Sequence, residues 1–167
     1  MRLRTCSFLN ILVCFLALVS IGCTTTSSKS SFSNKTNDIK LIKEVIDSYA
    51  KGDLQKYRGF FTVDAKIYHN RWPSVEKALS VDEIIAIHQQ FHNQLSKPIE
   101  ITNAIYEVIT TAEGDEYGHA WVRFNATFKK GGSIQNSVFV SFAIEEDRKI
   151  SMEWGLYDTS QVPTYIH

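Results

Sequence analysis

The stretch from Ile99 to Asp158 most constrains what this chain can fold into. It alternates apolar and polar residues through four segments separated by three polar turns, and it carries no helical period. The first segment, Ile99 to Thr111, is rich in Ile, Thr, Tyr and Val, types that suit a pleated and half-buried surface, and Ile99, Ile101, Ile105 and Ile109 share one parity. After Glu113-Gly114-Asp115-Glu116, the second sets Ala120, Val122, Phe124, Ala126 and Phe128 against His119, Trp121, Arg123, Asn125 and Thr127. Lys130-Gly131-Gly132 leads into the third, with Ile134, Val138, Val140, Phe142 and Ile144 in phase. Glu145-Glu146-Asp147-Arg148 leads into the fourth, where Ile150, Met152, Trp154 and Leu156 share a parity and Asp158 ends the run. This pattern predicts an antiparallel meander with one apolar face. Such a face needs a covering layer, and the only helical material lies upstream, so the expected class is α+β in one domain.

Upstream, Asp38 is placed to cap a helix with the stripe Ile39, Ile42, Val45, Ile46 and Tyr49, ending at Gly52. Asp53 caps a second, shorter helix whose buried face is Leu54, Tyr57, Phe60 and Phe61. Thr62-Val63-Asp64 then turns the chain into a strand from Ala65 to His69, followed by a loop with Trp72 and Pro73. Ser80-Val81-Asp82-Glu83 has capping-box spacing and opens a third helix, with Val81, Ile84, Ile85, His88, Phe91 and Leu95 on one stripe.

The N-terminus reads as an address. Arg2 and Arg4 precede an apolar run from Phe8 to Ile21, shorter than the about 20 residues of a spanning helix. The run ends in Ser20-Ile21-Gly22-Cys23, which resembles the lipobox of bacterial lipoproteins, where the Cys becomes the lipid-modified N-terminus. The competing reading is an ordinary signal peptide in which Cys23 is incidental. Under the lipobox reading residues 1–22 are removed and residues 23–37, a Ser/Thr/Lys/Asn stretch after the lipidated Cys23, form a flexible tether. The domain then covers residues 38–160, with a tail over 161–167. Thr24 stands where an inner-membrane retention signal would place Asp, so the expected address is the bacterial envelope, anchored in the outer membrane and facing the periplasm. Cys6 and Cys14 fall in the removed peptide, which leaves the folded part no disulfide. Processing leaves 16 basic and 18 acidic residues, a balance that offers no nucleic-acid footprint.

From Ile39 to Asp158, the order of helix, Gly52-Asp53-Leu54, short helix with Phe60 and Phe61, Asp64-Ala65 opening a strand, further helix and four-stranded meander resembles the SnoaL-like branch of the nuclear transport factor 2-like (NTF2-like) superfamily. Its strongest local pieces are the stretch from Gly52 to Ala65 and the strand end from Trp154 to Asp158. The resemblance implies a strongly curved antiparallel sheet wrapped as a cone around the N-terminal helices. In polyketide cyclases, steroid isomerases and dehydratases of this kind the open end holds a small, largely apolar ligand. Against the ketosteroid isomerase pattern of a helix Tyr, a strand base and a protonated Asp, the matching positions here are Val45, His69, and Val138 or Phe139. Only the base has a candidate.

Two functions from different classes follow. One is a membrane-anchored binding protein for a small apolar molecule. The alternative is a cofactor-independent isomerase, cyclase or dehydratase with His69 as general base. His69, in phase with Ile67, is either that base or a hydrogen-bonded strand-end histidine. Asp158 receives a substrate hydroxyl or orients a histidine, or else only forms a turn. His88, Asn136, Trp154 and Tyr57 are the candidate ligand contacts, with core packing as the competing role for His88 and Trp154. Asn103, Glu107 and Asn136 interrupt apolar parities and mark either pocket lining or a bulge. His88 and His92 have metal-pair spacing, but Gln89 stands where the zinc-protease motif needs Glu and no third ligand is evident, so neither metal nor cofactor is expected. On the polar-parity face, His119, Trp121, Arg123 and Phe139 suggest a homodimer through the outer sheet. The competing reading has the loops or the tail, with Tyr165 and Ile166, folding back over them.

Overall fold

A computed structural model describes residues 31–33, 36–70 and 77–161. The leader with Cys23, the loop with Trp72 and Pro73, and the tail with Tyr165 and Ile166 lie outside the described residues. In chain order the elements are β1 (Ser31–Ser33), α1 (Thr36–Lys51), α2 (Leu54–Arg58), β2 (Phe61–His69), α3 (Val81–Asn93), β3 (Glu100–Thr110), β4 (Glu116–Thr127), β5 (Ser133–Ile144) and β6 (Ile150–Tyr157), followed by a 3-10 turn at Thr159–Gln161.

The strands form one sheet of order β1-β3-β4-β5-β6-β2. The expected meander is β3 to β6, all antiparallel, while β2 joins the far edge parallel to β6. At the other edge β1 pairs with β3, Phe32 opposite Ile109, so part of the segment read as tether adds a strand. The helices cover the concave face. Ile42, Val45, Ile46, Tyr57, Ala120, Val140, Phe142 and Ile150 meet in the main core, and Ala50, Phe91, Leu95, Ile99, Ala126 and Phe128 close one end. The approach of α1 to the sheet depends on Gly118, where a Cβ would lie 2.2 Å from Ile42 Cδ1.

Two caps are as the sequence suggests. Asp53 accepts from the Lys56 amide at 3.1 Å, and Ser80 with Glu83 makes both halves of a capping box. Asp38 is different. The helix begins at Thr36, so Asp38 sits inside the first turn, buried, where it pairs with Arg148, which also reaches Glu116 at 2.9 Å. A carboxylate near the helix N-terminus and a guanidinium from the β5–β6 turn thus tie α1 to the sheet. The first long strand also starts earlier than expected: Thr62, Val63 and Asp64 are extended, and their irregularity is a register shift against β6 between Phe61 and Lys66.

Two further irregularities overturn expected parities. A shift between Ile101 and Asn103 means that Ile99 and Ile101 face inward, but Ala104, Tyr106 and Val108 do so afterwards, leaving Ile105 61% exposed. In β6, Ile150 pairs with Ile144 but Met152 pairs with Ala143, so Ser151 is an extra residue and the phase flips after it. Glu153 and Gly155 therefore point into the cone, and Trp154 and Leu156 point out, 48% and 51% exposed. Beyond that flip Leu156 aligns across the strands with Phe139, Trp121 and Ile105, an apolar row on the convex face.

Candidate functional site

The cone encloses about 140 Å³ between α1, α3 and the concave sheet. One wall, from β3, β4 and β5, is apolar: Ile99, Ile101, Val122, Phe124 and Ile134. The other collects Tyr49, Tyr57, His69, His88, Glu153 and Tyr157. The cavity is thus polar mainly along one side, with Asn136 of β5, opposite Phe124, the polar residue the other strands contribute.

Glu153 is the centre of that side. Only 4% exposed, it accepts from the Tyr57 hydroxyl at 2.5 Å on one oxygen and faces His69 Nε2 at 3.0 Å on the other. A carboxylate only accepts, so the Tyr57 O–H and the His69 Nε2–H donate to it. This pairing orients the imidazole, the arrangement by which a carboxylate assists a histidine base. Three elements build it. α2 supplies Tyr57, the end of β2 supplies His69, and β6 supplies Glu153 opposite Ile67 in the parallel pairing. Gly155, opposite His69, leaves room for the ring: a Cβ there would stand 2.8 Å from His69 Cδ2.

Burial and the neighbouring Glu153 push the Tyr57 hydroxyl well above its ordinary range, which keeps it a donor. Tyr49 is raised too, chiefly by burial. His88, on α3, sits among rings, with Tyr49 at 4.6 Å, Tyr57 at 5.7 Å and His69 at 5.9 Å between centroids. Burial, and then the nearby His69 and His92, hold its pKa well below the usual histidine value, so it is neutral near pH 7.

The structure brings together four of the residues singled out from sequence, His69, His88, Tyr57 and Asn136, all of which line the cavity. The Asn136 amide is engaged with the backbone of Asp158, donating at 3.0 Å and accepting at 3.3 Å, and so it anchors the end of β6. Asp158 is not a lining residue; its carboxylate accepts from the Ser160 amide at 2.9 Å and hydroxyl at 2.6 Å, the turn-forming role. Trp154 forms no wall of the cavity. The extra residue in β6 sends it to the convex face beside Tyr68, with ring centroids 5.8 Å apart. His92 packs on Tyr49, ring centroids 5.2 Å apart, and lies by Gly52, 3.2 Å from where a Cβ would be. Val45 is in the core and Val138 in the lining, so the other two steroid-isomerase positions hold aliphatic groups. Glu153 is the residue sequence reasoning missed. Its local signal was a lone Glu two residues before Gly155, on the parity opposite Ile150, Met152 and Trp154, and the extra Ser151 that turns it inward is invisible to a period of two.

The lowered pKa of His88 has a measurable consequence. The unfolded chain takes up a proton near pH 6.5 that the folded protein refuses, so stability is full above about pH 6.5 and falls as the pH drops below it, by at most about 1.4 kcal/mol per pH unit for this group. Urea unfolding between pH 7.5 and 5.5 reads this slope, and His88→Phe is expected to flatten it.

No family model and no curated protein matches the sequence. Solved structures do match. A candidate polyketide cyclase from Xanthomonas campestris pv. campestris superposes with a TM-score of 0.63 at 12% identity, covering 81% of this chain and 100% of that one. An NTF2-like protein from Anabaena variabilis gives 0.59 at 18% identity, over 77% and 95% of the two chains. A candidate SnoaL-like polyketide cyclase from Shewanella denitrificans gives 0.57 at 12%, over 75% and 93%. At such identities the likeness is one of architecture, and on it, together with the sheet curled around its helices, the chain has the NTF2-like cone fold of the SnoaL-like proteins.

Proposed function

We propose that this protein is a lipid-anchored envelope protein whose cone takes up a small, largely apolar molecule. The observation that carries the reading is the cavity itself, apolar along one wall and closed on the other by aromatic rings around a buried carboxylate. The order of basic start, apolar run, Gly22 and Cys23 supports the anchor and an outer-membrane address. Both parts are read by native mass spectrometry of the full chain extracted from membranes. The expected species begins at Cys23 with acyl mass attached and releases a small ligand, or takes up a hydrophobic probe, on activation. An unmodified N-terminus would refute the anchor, and a cone that is empty and inert to the probe would refute the binding role.

The contact between His69 and Glu153 favours a second reading, acid–base chemistry without a cofactor. An imidazole held by a buried carboxylate can take a proton from one atom of a bound molecule and return it to another, which serves isomerisation, cyclisation or dehydration. His69 would be the base, Glu153 would orient it, and Tyr57 would hold Glu153. Screening a panel of enones, β-hydroxy ketones and polyketide fragments for turnover tests this. Given turnover, His69→Ala is expected to cost about a hundredfold or more, the range of general-base assistance. A loss below tenfold would exclude His69.

The convex face supports a homodimer. Ile105, Trp121, Phe139 and Leu156 lie opposite one another across β3 to β6, and Trp121 and Phe139 rings stand 5.0 Å apart. Four strands about 4.8 Å apart and roughly 30 Å long offer about 600 Å², the low end of the range around 800 Å² per partner of a standard interface. A two-fold axis along that row would turn Arg123 of one copy over the His119 and Glu107 pair of the other, joining opposite charges. Light scattering of the unlipidated domain is expected to report a dimer that Trp121→Ser dissociates; a monomer at high micromolar concentration would refute it.

A further inference from the structure

We infer that the buried chamber selects a single-ring molecule that presents a hydroxyl or similar uncharged hydrogen-bond donor, and that it rejects anions. This rests on the reading of the cone as a ligand site, and it follows from what each wall has left to offer.

Size comes first. The chamber's about 140 Å³ is close to the about 150 Å³ of an apolar protein cavity that admits benzene, so it holds one ring, and a larger molecule must project through the mouth. The apolar wall of Ile99, Ile101, Val122, Phe124 and Ile134 faces that ring with no polar side-chain atom.

Chemistry comes second. Along the polar side the donors nearest Glu153 are spent, while the Tyr49 and Tyr157 hydroxyls and one N–H of the neutral His88 complete that wall. The Tyr57 hydroxyl and His69 Nε2 are directed at Glu153, and the Asn136 amide is held by the backbone of Asp158. Acceptors remain: each Glu153 oxygen has a second lone pair, and a neutral His88 carries one unprotonated nitrogen. The described lining includes no Lys or Arg. A ligand carboxylate would therefore be desolvated beside Glu153 with no counter-charge, whereas a hydroxyl would donate to an ionised acceptor, one of the stronger hydrogen bonds available.

Three molecules of one shape separate these terms: p-cresol, toluene and p-toluate, titrated against the purified domain by protein-observed NMR, with a hydrophobic dye as a control for the cone. The expected result is p-cresol binding about tenfold or more tighter than toluene, in line with a hydrogen bond to a charged acceptor, and p-toluate weaker than toluene. Glu153→Gln is expected to reduce the preference for p-cresol to less than about threefold. If that variant does not fold, the wild-type series decides alone. Toluene equal to p-cresol, or p-toluate as tight as p-cresol, would overturn the inference while leaving the cone a ligand site. Binding of the dye but of none of the three would do the same. Failure of all four, the dye included, would overturn the reading of the cone as well.

Discussion

A carboxylate buried in an apolar cone must be given donors, and meeting that demand organises the functional end of this molecule. Glu153 is supplied by Tyr57 from α2 and His69 from β2, two segments far from it in sequence. Without them an ionised group would sit among Val, Ile and aromatic side chains at a cost the marginal stability of a domain cannot absorb. The same two bonds fix the sheet edge and the short helix relative to β6. The fold and the candidate site therefore share one cluster, and a substitution there acts on both.

That cluster exists because β6 carries one extra residue. The insertion at Ser151 exchanges the faces of everything after it, bringing Glu153 and Gly155 inside and sending Trp154 and Leu156 outside. The inner face acquires a charge and a gap that admits the His69 ring. The outer face acquires two large apolar groups, of which Leu156 extends the row begun by Ile105 and Trp121. The irregularity in β3 acts alike, turning Ile105 outward onto that row while Val108 enters the core. Two local bulges thus set the character of both surfaces of the sheet.

At the opposite end of α1, Asp38, Arg148 and Glu116 form a second polar tie, joining helix, turn and strand. Arg148 adopts φ +68 in that turn, a conformation uncommon for a side-chain-bearing residue, and it does so where its guanidinium reaches both carboxylates. Between the two ties lies the close contact of Ile42 with Gly118, where the missing side chain lets the helix sink onto the sheet.

The order and type of the long elements were legible in the sequence because each depends on local chemistry: a period of two from Ala120 to Phe128, a capping box at Ser80, glycines in the turns. His69, in phase with Ile67, and His88, on the apolar stripe of α3, could be placed facing the interior for the same reason. Glu153, Trp154 and Asp38 could not be read this way. A bulge is decided by how two strands fit each other, since its extra residue is compensated by a partner distant in sequence, and a period counted along one strand passes through it unchanged. The sequence by itself determined the order and type of the long elements, the apolar faces of β4 and β5 and the layer that covers them. Only the tertiary structure decided which way β6 turns after Ser151, and hence that the cone contains a carboxylate held by a tyrosine and a histidine, because that choice rests on long-range pairing and on the donors a buried charge requires.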